Sequence, residues 1–114
     1  MRPLVSAERQ TFSYACRVAP CKFWGGAKLY GATLEQLFRY VTWRHTAAVV
    51  MTFVRNKGLT NVLAEADRAI KDHASYRGGF TLRTATYRTS GHEHPEDFEM
   101  TLEVHHLLFH LPTG

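Results

Sequence analysis

The stretch Ala47 to Val54, Ala-Ala-Val-Val-Met-Thr-Phe-Val, constrains the fold more than any other part of the chain. It is almost continuously apolar and short, the pattern of a strand covered on both faces, which places it at the centre of a sheet. The polar turn Arg55-Asn56-Lys57-Gly58 ends it. On either side the apolar residues recur with a helical period. Upstream, from about Leu29 to Trp43, the residues Tyr30, Leu34, Leu37, Phe38 and Val41 share one face, and Gly25-Gly26 precede them as a break. Downstream, Leu59, Val62, Leu63, Ala66 and Ile70 form the buried side of a helix that Thr60 can cap and that runs to about Ala74. A strand, helix, strand crossover of this length implies parallel strands joined by a right-handed connection.

The ends of the chain read as strands. Thr11 to Ala19 alternates, with Phe12, Tyr14, Cys16 and Val18 on one face. After Gly78-Gly79, two strands from about Phe80 to Thr89 and Phe98 to Leu111 flank the polar loop Ser90 to Asp97, an antiparallel hairpin. The last strand carries Phe98, Met100, Leu102 and Val104 on one face and then Leu107, Phe109 and Leu111 on the other, so a bulge or bend is expected near His105-His106. The fold class that follows is α/β in a single domain spanning 1–114, with order β-α-β-α-β-β and a mixed sheet flanked by two helices.

Composition narrows the functional classes. At 114 residues the chain is long enough for a real core, and 45% hydrophobic with 21% charged residues is the balance of a globular protein, not a disordered one. No apolar run of about 18 residues could span a bilayer and no leader pattern stands out, so a cytoplasmic location without membrane association is expected. Cys16 and Cys21 are expected to be free, buried thiols, since two cysteines so close along a strand cannot easily turn back on each other. The formal charge of +4 permits nucleic-acid binding without requiring it, because Arg39, Arg44, Arg55, Lys57 and Arg68 are dispersed along the chain.

Seven histidines raise the question of a metal. His92 and His94 would project to one side if extended, as would His106 and His110 on the final strand, but no established ligand spacing is present and no metal ligand is assigned.

The densest chemical signal is Val18-Ala19-Pro20-Cys21-Lys22-Phe23-Trp24 followed by Gln36-Leu37-Phe38-Arg39-Tyr40. Lys22 at a strand end, with Gln36 and Tyr40 four apart on the next helix, resembles the PD-(D/E)xK nuclease superfamily, whose strand carries Glu-x-Lys and one branch of which carries Gln-x-x-x-Tyr on the following helix. The likeness extends from about Ala19 to Leu111 and points to an uncharacterised bacterial branch of restriction-endonuclease-like domains, here as a shortened half-core. The resemblance implies a vestigial active site at Lys22, Gln36 and Tyr40. Pro20 occupies the metal-binding Glu position, and the first aspartate is Asp67. Those folds hydrolyse phosphodiesters with carboxylates that hold divalent cations. The substitution therefore implies lost catalysis and no cofactor, with Mg2+ or Mn2+ relevant only if Glu35, partnered by Glu8, replaces the missing ligands.

Three readings follow. The first is a catalytically silent nuclease-like domain that binds a protein or, weakly, nucleic acid, with Lys22, Arg39, Trp43 and Arg44 as the contacting residues. The second is an active metal-dependent nuclease with relocated carboxylates. The third is a homo-oligomeric structural or small-ligand-binding protein. A homodimer is expected in any case, through sheet surface that the fuller family fold would cover.

Overall fold

The computed structural model describes residues 16–55 and 58–111. Most of the first expected strand, Glu8, and Asn56-Lys57 of the polar turn lie outside the described residues. The elements are β1 (Cys16–Val18), β2 (Lys22–Phe23), α1 (Ala27–Arg39), β3 (Ala47–Val54), α2 (Leu59–Asp72), β4 (Tyr76–Thr84), β5 (Tyr87–His94) and β6 (Asp97–His110). The chain is α/β, with a mixed six-stranded sheet in the order β1-β3-β6-β5-β4 and β2 also beside β3. β3 is central as its sequence requires. It pairs in parallel with β1 and β2 on one side and with β6 on the other, Lys22 lying opposite Thr52 and Val54 opposite His110.

The edge beside β3 is split into two short strands, and Cys21 lies exposed between them with Cys16 half-buried, which corrects the expectation of buried thiols. Ala19 N–H donates to Val49 O at 2.9 Å and Trp24 N–H donates to Phe53 O at 2.8 Å. Between them Pro20 has no N–H to offer, so the edge splits into β1 and β2. Gly26 then opens α1 at φ 108°, a backbone conformation that glycine alone adopts readily. The helix stops at Arg39, short of Trp43, where the Tyr40 N–H donates to Leu37 O and the Val41 N–H to Phe38 O, and Val41 stays buried beyond the helix end. α2 starts at Leu59 behind Gly58, so Thr60 lies inside its first turn and is not the cap.

Leu34, Leu37 and Phe38 of α1 and Ile70 of α2 pack on Ala48, Val50, Leu102 and Val104. Val62 and Ala66 of α2 pack on Val54 and Leu108. These strand residues share one parity, so both helices cover the same face of the sheet. The expectation that β3 is covered on both faces is therefore corrected: Ala47, Val49, Met51 and Phe53 are only half-buried. Their shielding comes sideways, as Phe53 sits between Phe23 and Phe109 at ring-centroid distances of 5.9 and 5.8 Å.

The C-terminal half is a three-stranded meander instead of one hairpin. Tight turns at Ala85-Thr86 and Pro95-Glu96 separate β4, β5 and β6, and most of the expected polar loop is the strand β5. Gly91 of β5 lies so near β4 that a Cβ there would stand 3.1 Å from Gly78 O. β6 carries no bulge at His105-His106, because its pairing with β3 runs unbroken from Glu103 to His110. The phase of the apolar residues changes for another reason: His106 takes a buried place between Val104 and Leu108 on the helix face, while Leu107 and Phe109 belong to the open face.

One buried ion pair ties α2 to β5. Arg88 Nε lies 3.2 Å from Asp67 Oδ1, and the Arg88 side chain is 3% exposed. Burial raises the Asp67 carboxyl, against the lowering pull of Arg88 and Lys71. Removing one partner of a buried pair leaves the other charge uncompensated. Asp67→Asn is accordingly expected to lower the unfolding free energy by about 3 kcal/mol, read from urea denaturation at neutral pH; a loss under about 0.5 kcal/mol, the range of ordinary surface changes, would mean that the pair holds nothing.

Candidate functional site

The resemblance residues meet in a groove. Its floor and walls come from β1, β2 and one side of α1: Arg17, Ala19, Pro20, Lys22, Gln36 and Tyr40 surround a volume of about 170 Å³. Lys22 Nζ donates to Gln36 Oε1 at 3.0 Å, which joins the strand-end cation to the helix amide. The Arg17 guanidinium lies 5.2 Å from the centroid of the Tyr40 ring, which orders the other end of the groove. Arg17 was not among the residues singled out from the sequence; its place two positions before Ala19 on the same edge was the available signal.

The electrostatics of this groove are one-sided. Arg17 and Lys22 line it, and among the described residues no carboxylate does. Pro20, which the resemblance sets at the glutamate position, offers no carboxylate. Glu35 is adjacent to Gln36 in sequence but turns to the opposite flank of α1, where its Oε1 lies 2.9 Å from His73 Nε2. Among the described residues no three His, Cys, Asp or Glu side chains gather to hold a metal ion. The residues present do not fit the divalent cation that the nuclease resemblance implies.

Trp43 and Arg44 do not join this groove. They occupy the turn before β3, whereas Lys22 stands in register with Thr52, farther along that strand. There the Trp43 N–H donates to Glu96 Oε1 at 3.1 Å and the Arg44 guanidinium lies 5.1 Å from the Trp43 ring centroid. Arg39 is exposed in the last turn of α1, between the two places.

A second constellation runs beneath α1, composed of residues that no spacing in the chain connects. Tyr30 Oη lies 2.6 Å from His106 Nδ1, and His106 Nε2 lies 2.8 Å from Ser90 Oγ. Ser90 Oγ is 2.8 Å from His92 Nε2, and His92 Nδ1 is 2.7 Å from Ser75 Oγ. Ser75 Oγ is 2.8 Å from His73 Nδ1, and the His73–Glu35 contact brings the seam to the surface. Tyr30 and Thr52 also line a narrow crevice that Lys22, Trp24 and Thr33 share, so the inner end of the seam adjoins the groove. His94 faces the same side of β5 but is held elsewhere, its Nε2 donating to His45 O at 2.8 Å.

Burial dominates the titration of these groups. It lowers His92 to about 4, with His73 nearby adding to the effect. It holds His106 well below the ordinary histidine value, assisted by His92, Arg88 and His105. The Tyr30 phenol is raised by the same desolvation.

Compared with family models, curated proteins and solved structures, the chain matches none. Among the described residues no helix is long and apolar enough to cross a membrane.

The histidine shifts fix the sign of a pH dependence. Between the ordinary value of 6.5 and about 4, the unfolded chain binds more protons at His92 than the folded chain does. Stability is therefore complete above pH 6.5 and declines as pH falls toward 4, by at most about 1.4 kcal/mol per pH unit for each such histidine. Thermal midpoints measured across this interval should fall steadily on acidification. A flat profile would contradict the buried neutral imidazoles.

Proposed function

We propose that this chain is a non-hydrolytic, nuclease-like domain that grips phosphate groups of nucleic acid in the groove between α1 and the β1–β2 edge. The observation that carries this reading is the lining of the groove, which among the described residues is two cations with an amide and a phenol and no carboxylate. A phosphodiesterase of the resembled class needs carboxylates to hold its cations. A groove with cations alone attracts the phosphate and lacks the means to activate water on a metal. Lys22 is half-buried and directed by Gln36. An ammonium has three donors and Gln36 takes one, leaving others for phosphate oxygens.

Binding of this kind is weak and salt-dependent. With two phosphate contacts the logarithm of affinity should fall against the logarithm of salt with a slope of roughly −1.4 to −1.8. Fluorescence anisotropy with labelled single- and double-stranded oligonucleotides measures it, and Lys22→Ala is expected to reduce the slope by about 1. Absence of binding at low salt would remove the proposal. Cleavage of the same oligonucleotides with Mg2+ or Mn2+, abolished in Lys22→Ala, would instead restore the catalytic reading.

A second reading is favoured by the open sheet face. Val18, Phe23 and Phe109 are 51%, 48% and 42% exposed, and the face also carries half-buried Val49, Met51, Phe53 and Leu107. A continuous apolar surface of this kind marks an association site. On this reading the chain forms a homodimer across that face, and Phe109→Asp yields a folded monomer by light scattering. A wild-type monomer at high concentration would exclude the dimer.

A further inference from the structure

The seam beneath α1 has a direction, and one backbone amide sets it. The Ser75 N–H donates to His73 Nδ1 at 3.1 Å. An amide N–H cannot accept, so His73 Nδ1 carries a lone pair and the ring proton lies on Nε2, toward Glu35. That same lone pair faces Ser75 Oγ at 2.8 Å, so the proton in this contact belongs to the serine. Ser75 Oγ then accepts at 2.7 Å from His92, whose ring proton must be on Nδ1. His92 Nε2 accepts from the Ser90 hydroxyl, Ser90 accepts from His106 Nε2–H, and His106 Nδ1 accepts from the Tyr30 phenol. Every proton in the chain is thereby assigned, and the assignment holds only while all three imidazoles are neutral.

We propose that this one-way chain is an acid-sensing site: a proton taken up within it breaks the polarity of the seam and loosens α1 from the sheet at the Tyr30 end, beside Lys22. The proposal stands apart from whatever the groove binds.

Among the described residues no anion stands beside His92 or His106 to accommodate such a proton. The titratable or charged groups facing the seam are Lys22 on β2, Tyr30 and Glu35 on α1, Asp67 on α2, His73 after it, Tyr76 on β4, Arg88 on β5, and His105 with His106 on β6. Glu35 reaches His73 only, and Asp67 is engaged by Arg88. A second N–H on His92 would point at Ser90 Oγ, which already receives the His106 proton, and the serine's own proton would lose its acceptor in a buried place. A second N–H on His73 would meet the Ser75 amide donor to donor. The sheet side cannot yield easily, because β5 and β6 are joined by backbone pairing from Tyr87–Leu107 to Glu93–Thr101. α1 is bound across the seam by side chains alone, and so it is the part that moves.

Long-range nitrogen–proton NMR of the histidine rings at pH 7.5 tests the polarity directly. His92 is expected to carry its proton on Nδ1, and His73 and His106 on Nε2. In Ser75→Ala the His92 preference for Nδ1 should vanish while His73 keeps Nε2–H, since its backbone donor remains. As pH falls, amide protection across Tyr30 to Phe38 should drop about tenfold per pH unit for each histidine taking up a proton, ahead of Val50 and Val104 in the sheet. A wild-type His92 protonated on Nε2, or α1 amides exchanging in step with the sheet at every pH, would overturn the proposal. The wild-type spectrum decides the polarity even if Ser75→Ala does not fold.

Discussion

Three imidazoles and two hydroxyls lie under α1 or against its flank, and polar groups in such a place are tolerated only when they satisfy one another. That requirement organises the fold. It fixes the height of α1 on the sheet, because Tyr30 must reach His106 at 2.6 Å. It also fixes the end of α2 and the turn into β4, because His73 and Ser75 must meet His92. The apolar clusters on either side give the bulk of the burial, but they would tolerate small shifts that the seam does not.

The same requirement explains what could be read in the sequence and what could not. β3 and the buried faces of α1 and α2 were legible because their cores are apolar, and apolar periodicity is the signal a sequence displays best. β5 was hidden. Its inward face is Arg88, Ser90, His92 and His94, all buried, so the alternation that marks a strand is an alternation among polar residues. The supposed bulge in β6 has the same origin, since His106 occupies a core position and disguises an unbroken apolar face. Helix ends were misjudged where glycines rather than side-chain caps began them, at Gly26 and Gly58.

In the groove, legibility ran the other way. Lys22 and Gln36 lie 14 residues apart and were paired from a resemblance, and they touch. Arg39, Trp43 and Arg44 were grouped with them because they lie close to Tyr40 in sequence, yet of these only Tyr40 lines the groove with Lys22. Proximity in sequence to Tyr40 thus implied nothing about proximity to Lys22. Arg17 reaches the groove instead, because β1 and β2 are segments of one edge separated by a proline.

Glu35 and Gln36 show how one helix serves both systems. Successive residues on a helix point about 100° apart, so a carboxylate and an amide side by side in sequence face opposite flanks. Gln36 meets the cation of the groove, and Glu35 closes the outer end of the seam. Turning Glu35 toward Lys22 would bring a carboxylate to the groove only by parting it from the His73 imidazole, 2.9 Å away on the other flank. The separation of charge is therefore built into the helix register. Among the described residues the cations are left to the groove and the carboxylate to the histidine chain, and a metal site at Lys22 built on Glu35 would require that contact to be given up.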